Sequence, residues 1–199
     1  MAYPVDATFE RNMQPSRGLA VAGIVFLVKL LLLIPHFIVL WALGIGFAVL
    51  TWVGYWIVAI TGVYPPWLHD FVSGYLRWLA RVGAWAFGLV DAYPPFTFEA
   101  GGYPADVQTV PNANPNRGLA VAGIFWFVKP LLLLPHAIVL GFLYIGAGIA
   151  AYVGYWIVAI TGQLPEGLQT FFGGVLRWQT RIYAWQAGIV DQYPPFSLS

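Results

Sequence analysis

One uncharged segment decides the fold class. Residues His36–Thr61 read HFIVLWALGIGFAVLTWVGYWIVAIT, which is 26 residues without Asp, Glu, Lys or Arg. About 20 consecutive apolar residues cross the hydrocarbon core of a bilayer as a helix. The segment therefore predicts a membrane-spanning helix.

The composition of the whole chain agrees with that segment. Its 199 residues are 60% hydrophobic, 18% aromatic and 9% charged, whereas a soluble domain is about 25% charged. The mean hydropathy is +0.74, so we expect most of the chain to lie in lipid. The net charge of +1, with no run of basic residues, argues against a nucleic-acid partner. The absence of cysteine excludes disulfides, thiol catalysis and thiolate metal sites.

The chain is an internal repeat. Shifting the sequence by 100 residues aligns Tyr3–Phe98 with Tyr103–Leu198 without a gap, and 53 of the 96 pairs are identical. The shared segments include RGLAVAGI at Arg17 and Arg117, VGYWIVAITG at Val53 and Val153, and YPPF at Tyr93 and Tyr193. We therefore expect two membrane repeats, residues 1–100 and 101–199, that form one pseudo-twofold unit.

A lysine and a Pro-His pair interrupt the apolar block of each repeat. The first block, Gly18–Gly62, is too long for one crossing. We predict that Gly18–Ile34 lies in the interface or enters the membrane obliquely, with the ammonium group of Lys29 reaching water. Proline removes a backbone donor, so the Pro-His pairs should mark a bend. The predicted bend residues are Pro35, His36, Pro135 and His136.

The block that follows, Trp67–Val90, is apolar except for one polar stripe. Asp70, Ser73, Arg77 and Arg81 recur at helical spacing on one face. Such a helix crosses the membrane with its stripe turned toward protein, or lies in the interface. Because Lys and Arg match between the repeats, both repeats should have the same orientation, which requires an even number of crossings in each.

The predicted fold class is therefore an all-α integral membrane protein with about four transmembrane helices and two interfacial or re-entrant helices. His36–Thr61 and Trp67–Val90 are the crossings of the first repeat. Both termini and the connector 91–117 are expected on the cytoplasmic side. Six crossings with inverted repeats are the alternative.

Short β-hairpins are expected to cap one membrane face. Phe96–Glu99 and Ala105–Val110 have strand character and flank a Gly-Gly turn signal, which predicts a hairpin. Val5–Glu10 and Phe196–Ser199 at the chain ends would form the matching hairpin.

Six of the cations that recur in both repeats are the candidate lipid- or anion-binding residues. A charge at membrane depth costs roughly 2.5–3.5 kcal/mol on insertion scales unless it is paired or wetted. One hypothesis is that these cations bind anionic headgroups or an anionic substrate. The other is that they form internal ion pairs, for which Asp91 and Asp191 are the acidic partners present in both repeats. The six cations are Lys29, Arg77, Arg81, Lys129, Arg177 and Arg181.

No catalytic residue, cofactor or metal site is predicted. His36 and His136 recur, but no Cys, Glu or second His lies at ligand spacing. We expect these histidines to bond backbone groups freed at the bend, or headgroups. Paired catalytic carboxylates, a nucleophile elbow, a P-loop and a dinucleotide fingerprint are absent from the sequence, so enzymatic activity is not expected.

Four motifs follow one another in the first repeat, and the second repeat carries a related set. They are LLLIPHFIVL at Leu31–Leu40, YWIVAITGVYP at Tyr55–Pro65, FVSGYLRW at Phe71–Trp78 and DAYPPF at Asp91–Phe96. Their order resembles the bacterial and archaeal membrane family named domain of unknown function 4389, over nearly all of the chain. The resemblance implies a membrane protein, which we expect in the bacterial inner membrane, and it implies little about function. Lys129–Pro130 and Leu164–Pro165–Glu166 depart from the first repeat, so the second bend and turn are expected to differ.

The leading functional hypothesis is a non-enzymatic membrane scaffold that contacts lipid and assembles into homo-oligomers or a larger membrane complex. Small residues on the main spans permit close helix packing, among them Gly44, Gly46, Gly146 and Gly148. One alternative is a small transporter or channel with an arginine-lined pathway. Another is an accessory subunit of a respiratory or photosynthetic complex.

Overall fold

The computed structural model describes residues 3–25 and 28–199, and in them the chain forms seven α-helices and two β-strands. The prediction of a mostly helical chain is confirmed. The elements are β1 (Val5–Phe9), α1 (Arg17–Ile24), α2 (Val28–Leu32), α3 (Ile34–Thr61), α4 (Pro66–Ala86), β2 (Ala105–Thr109), α5 (Arg117–Ile124), α6 (Val128–Thr161) and α7 (Glu166–Ala187). Both repeats follow the same order, except that α2 and α3 correspond to the single helix α6.

Local sequence signals explain several helix ends. The side chains of Ser16 and Asn116 accept a hydrogen bond from the backbone N–H three residues further on, which caps α1 and α5. Helices α3 and α6 end at Gly62 and Gly162, whose φ angles of 74° and 78° are left-handed. Glycine adopts that conformation without the steric cost that a Cβ would bring.

The predicted bend at the Pro-His pairs differs between the repeats. In the first repeat Leu33 separates α2 from α3, and Pro35 occupies the first turn of α3. A proline in the first turn removes an N–H that has no partner within the helix. In the second repeat Pro135 lies inside α6, which is continuous. A helix boundary therefore lies beside the Pro-His pair in the first repeat only.

In each repeat the helical segment is also interrupted after its first short helix. Val25 and Phe125 are extended and end α1 and α5, and the chain turns through Phe125–Phe127 before α6 begins. The predicted helix Gly18–Ile34 is thus divided between α1 and α2, and its residues 26 and 27 lie outside the described residues.

The two strands pair with each other across the repeats. β1 and β2 are antiparallel, with Val5 opposite Thr109 and Phe9 opposite Ala105. The predicted hairpins within each pair of neighbouring segments were therefore wrong. Alternate strand residues are fully buried, which fixes the register because a slip by one residue would expose them. These buried residues are Val5, Ala7, Ala105 and Val107.

Elements of each repeat pack on the other repeat. α1 packs on α6 and α5 on α3, β1 packs on α7 and β2 on α4, and α4 and α7 pack on each other. Glycine permits two close approaches. An added Cβ would lie 2.6 Å from the ring of Tyr155 at Gly23, and 2.5 Å from the ring of Tyr55 at Gly123. The two repeats are interleaved through these contacts.

Two helices in the described residues, α3 and α6, are long and apolar enough to span a membrane. Only 22% of the most apolar stretch of each helix is buried inside the protein, so these are outer helices rather than core helices. α4 and α7 form the inner pair, and most of the large side chains that are fully buried lie on them or against them. The expectation of four transmembrane helices is not confirmed by length and apolarity.

Candidate functional site

The first arginine cluster joins α4 to β2 and to the loop before β2. The Nε of Arg77 donates to Asp106 Oδ1 at 2.5 Å, and its two terminal nitrogens donate to the carbonyls of Phe98 and Val107. Arg81, which is 0% exposed, donates to the carbonyls of residues 99, 101 and 105. These two guanidiniums thus hold three backbone segments around the carboxylate of Asp106. The carbonyls of Phe98 and Glu99 accept hydrogen bonds from the arginines and not from a partner strand of a hairpin.

The second arginine cluster joins α7 to β1 in the same way but is more open. Arg177 Nε lies 3.1 Å from Asp6 Oδ1, and its guanidinium donates to the carbonyls of Ala7 and Leu198. Arg181 donates to the carbonyl of Ser199. The Asp6 side chain is 52% exposed, compared with 23% for Asp106. A hollow of about 560 Å³ lies beside Arg177 and Arg181.

The acidic partners predicted from the sequence were wrong. Asp91 accepts the backbone N–H of Ser16 at 2.8 Å, and Asp191 accepts that of Asn116 at 2.9 Å. Among the described residues neither carboxylate forms a salt bridge. Each instead fixes the residue that caps a short helix, so these carboxylates hold α1 and α5 to the end of the same repeat.

Lys29 and Lys129 are buried rather than extended to water, so that expectation was wrong for Lys29. The Nζ of Lys29 donates to the carbonyl of Trp85 at 2.7 Å, and that of Lys129 donates to the carbonyl of Trp185 at 3.0 Å. Both carbonyls belong to the last turn of an inner helix, and each also accepts the backbone N–H of a glycine three residues further on. A cation there is stabilised by the negative end of the helix dipole. Burial lowers the pKa of Lys29 to about 8, and the carboxylate of Asp91 opposes that shift.

Aromatic rings enclose each buried ammonium group. Lys29 Nζ lies 4.5 Å from the ring centre of Trp85 and 4.8 Å from that of Tyr155. Lys129 lies at the same two distances from Tyr55 and Trp185. Each cage therefore takes one ring from each repeat. Cation–π attraction of this kind is strongest where water is excluded.

His36 and His136 are core residues of two matching aromatic clusters. His36 Nδ1 accepts from the indole of Trp78 at 2.9 Å and stacks on Phe96 with ring centres 3.9 Å apart. The corresponding distances at His136, to Trp178 and Phe196, are 3.0 and 3.7 Å. Both histidines are 0% exposed. The expectation that they bond freed backbone groups or headgroups was wrong, because the indole takes the Nδ1 lone pair.

The described residues contain no group of three or more potential metal ligands. The six candidate cations and the two histidines thus interact with carbonyls, carboxylates and aromatic rings of the protein itself. These interactions hold segments of the chain together.

The outer faces of α3 and α6 have the opposite character. Large apolar side chains are exposed from Ile34 to Ile60 in α3 and from Leu131 to Ile160 in α6, and Trp41 and Phe142 are each 72% exposed. α3 contains no charged residue, and the one in α6 is the buried Lys129. Each face is therefore an uncharged apolar strip that runs the length of a long helix.

These features define a class of protein: a tandem-repeat helical protein in which Lys29, Arg77, Arg81 and their copies are bonded internally and whose two outer helices are long and apolar enough to span a membrane. The chain belongs to the family described as Domain of unknown function (DUF4389), which matches residues 24–97 and 125–197. The resemblance in the motif order is thus confirmed, with two tandem copies. No curated protein and no solved structure matches the chain.

The partners of the arginines, Asp6 and Asp106, were not predicted. They are identical residues at the same position of the two repeats, and that identity was the available signal. Both fall in segments that were expected to form separate hairpins. A carboxylate in a strand reaches an inner helix only when the two strands pair across the repeats.

Proposed function

We propose that this protein is a non-enzymatic integral membrane scaffold that contacts lipid through the outer faces of α3 and α6. The observation that carries the proposal is the pair of uncharged apolar strips, together with the low burial of these helices inside the protein. Contiguous exposed apolar surface on this scale marks an interface with lipid or with protein. When such an apolar surface lies in the hydrocarbon core of a bilayer, no polar groups are needed to shield it.

The placement of charge supports the same proposal. Arg81, Arg181, Lys29 and Lys129 are less than 10% exposed and are bonded inside the protein. Cations that would be costly in lipid are thereby kept away from it. A lipid- or anion-binding role for the six clustered cations requires displacing these internal bonds.

The contacts of the arginines do not support the transport alternative. It required Arg77, Arg81 and their copies to line a polar pathway. Their guanidiniums instead bond backbone carbonyls and the carboxylates of Asp6 and Asp106.

Assembly into homo-oligomers or a larger complex is the second part of the proposal. Of the small residues in α6, Ala147 and Ala151 are buried within the protein, whereas Gly141, Gly146 and Gly148 have open space where a side chain would be. Outward-facing glycines permit a second helix to approach closely. Mass photometry in lipid nanodiscs tests this part, since it should show more than one copy per disc, and Gly141→Leu with Gly148→Leu should reduce that number.

Integral membrane location is tested by fractionation. Expressed in bacteria, the protein should sediment with inner membranes, resist extraction by alkaline carbonate and float with reconstituted vesicles. A peripheral protein would be released by carbonate. Release into the supernatant, or a monodisperse sample without detergent, would overturn the proposal.

The expectation that both repeats have the same orientation, with four crossings and cytoplasmic termini, was wrong. Tyr64, next to the start of α4, donates to the carbonyl of Ala187 at the end of α7, so these two helices run antiparallel. The guanidinium of Arg117, which begins α5, lies over the end of α3. We propose that α3 and α6 cross the membrane in opposite directions. The chain contains no cysteine, so a membrane-impermeant maleimide added to intact cells should label only one of Val63→Cys and Gln163→Cys, which are exposed just beyond α3 and α6. Equal labelling of both would contradict inverted repeats.

A further inference from the structure

Two arginines outside the clusters occupy the same position in both repeats. Arg17 and Arg117 begin α1 and α5, and both side chains are exposed. The hydrogen bonds and salt bridges within residues 3–25 and 28–199 involve neither guanidinium. Arg11, which is also exposed, pairs with Glu166 at 2.8 Å. Each of the two repeated guanidiniums therefore keeps five N–H donors for another partner.

The fold fixes where these two groups lie. The guanidinium of Arg117 lies over Gly62, which ends α3, and would come within 2.7 Å of a Cβ added there. Arg17 lies in the same way over Gly162, which ends α6, at 3.1 Å. Each arginine is thus held at the end of the long outer helix of the other repeat.

The outer face changes character at the same level. In α3, Trp56 is 43% exposed and Ile60 is 72% exposed, and the exposed Thr61 follows. In α6, Trp156 and Ile160 are 48% and 72% exposed. Tryptophan is enriched at the headgroup level of membranes. The apolar strip therefore ends at an aromatic residue, a hydroxyl group and then a guanidinium, which is the order of environments from acyl chains to headgroups.

We propose that Arg17 and Arg117 form two equivalent binding sites for the phosphate of an anionic phospholipid. This inference rests on the proposed membrane function. A guanidinium donates charge-assisted, often paired hydrogen bonds to phosphate oxygens, and a basic side chain near an anionic membrane surface gains about fivefold in affinity. The two sites hold the ends of α3 and α6 at the headgroup level.

The acidic residues near these arginines leave the sites open. Asp91 and Asp191 bind the backbone N–H groups of the preceding residues, Ser16 and Asn116. In the hollow beside Arg177, by contrast, the carboxylate of Asp6 stands 3.1 Å from the guanidinium and already balances its charge. Charge complementarity therefore favours the exposed pair over the clustered arginines as the lipid-binding cations.

The test reconstitutes the whole chain in vesicles of phosphatidylcholine and phosphatidylglycerol in equal parts, and counts retained lipids by native mass spectrometry. Wild type should retain two phosphatidylglycerol molecules, Arg17→Gln or Arg117→Gln one, and the double variant none. Arg11→Gln is the matched control, because Arg11 is exposed, pairs with Glu166 and has Pro111 at its position in the second repeat. It should retain two.

The outcomes separate this inference from the proposed function. A double variant that enters phosphatidylcholine vesicles as wild type does, but retains no phosphatidylglycerol, supports both. Two phosphatidylglycerol molecules retained by the double variant, or no preference over phosphatidylcholine in wild type, would overturn the inference while leaving membrane insertion intact. Failure of wild type to enter vesicles of either lipid would overturn the proposed function itself.

Discussion

The inner helices α4 and α7 and the outer helices α3 and α6 use opposite chemistry. The inner pair carries four arginines, each bonded to backbone carbonyls of another segment. The outer pair exposes only uncharged side chains along most of its length. A soluble domain places its polar groups on the outside. Here the charged side chains lie inside and the exposed faces of the long helices are uncharged. The buried arginines add bonds between segments to a core that is otherwise apolar.

Loss of a buried inner arginine should have the largest effect. Arg81→Ala leaves three carbonyls without a donor and removes one of the two cations beside Asp106. We expect a loss of about 3–5 kcal/mol in the free energy of unfolding in detergent, the cost of breaking a buried charge cluster. Arg11→Ala, at an exposed pair, should cost about 0–1 kcal/mol. Equal losses in the two variants would contradict the structural role of the cluster.

A charge on the outer face should have the next largest effect. Ile45 is 53% exposed near the middle of α3. Ile45→Arg should make insertion less favourable by about 2.5–3.5 kcal/mol, measured as the inserted fraction in a glycosylation-mapping assay. Ile45→Leu is the control and should insert as wild type does. Unchanged insertion of the arginine variant would mean that this face does not meet the acyl chains.

The contact between the two repeats can be tested with a pair of glycines. A Cβ at Gly123 would lie 2.5 Å from the ring of Tyr55, whereas one at Gly141 would meet nothing within 4 Å. Gly123→Ala should therefore cost about 1–3 kcal/mol of stability through overpacking, and Gly141→Ala should be neutral or stabilising. Thermal unfolding in one detergent compares them. A similar Tm for both variants would show that the ring of Tyr55 does not pack tightly on Gly123.

The smallest expected effect is the loss of stability at the more exposed of the two arginine clusters. Asp106 lies 2.5 Å from Arg77 and is 23% exposed, whereas Asp6 lies 3.1 Å from Arg177 and is 52% exposed. Asp6→Asn should cost about 0–1 kcal/mol because solvent screens that pair, and Asp106→Asn should cost more. Chemical denaturation of both variants measures the difference. A larger loss at Asp6 would reverse the order of the two clusters.

The sequence predicts those features that depend on local pattern. The repeat, the helical class and the apolar helix over His36–Thr61 follow from residue identity and from the absence of charge. The helix continues through Pro135 because packing on α1 and α7 holds it, and no local pattern reports that packing. The presence of proline predicted a bend at this position.

The candidate site could be predicted only in part. The repeated cations were identified, but their partners depend on contacts between segments far apart in the chain. Arg177 meets Asp6, 171 positions earlier, and Lys29 meets a ring of the other repeat. The duplication led to Asp91 and Asp191 as the predicted partners instead. The positions of Arg17 and Arg117 could not be predicted either, because they depend on the helix end that each arginine reaches.

The most direct test of the central claim is a comparison of spin-label environments in vesicles. Labels at Ile45→Cys and Phe142→Cys lie on the outer faces of α3 and α6, and a label at Ala100→Cys lies on an exposed loop. If the outer faces of α3 and α6 contact lipid, the two outer labels should collide with dissolved oxygen far more than with a water-soluble nickel chelate, and the loop label should do the reverse. Strong collision of the outer labels with the nickel chelate would contradict it.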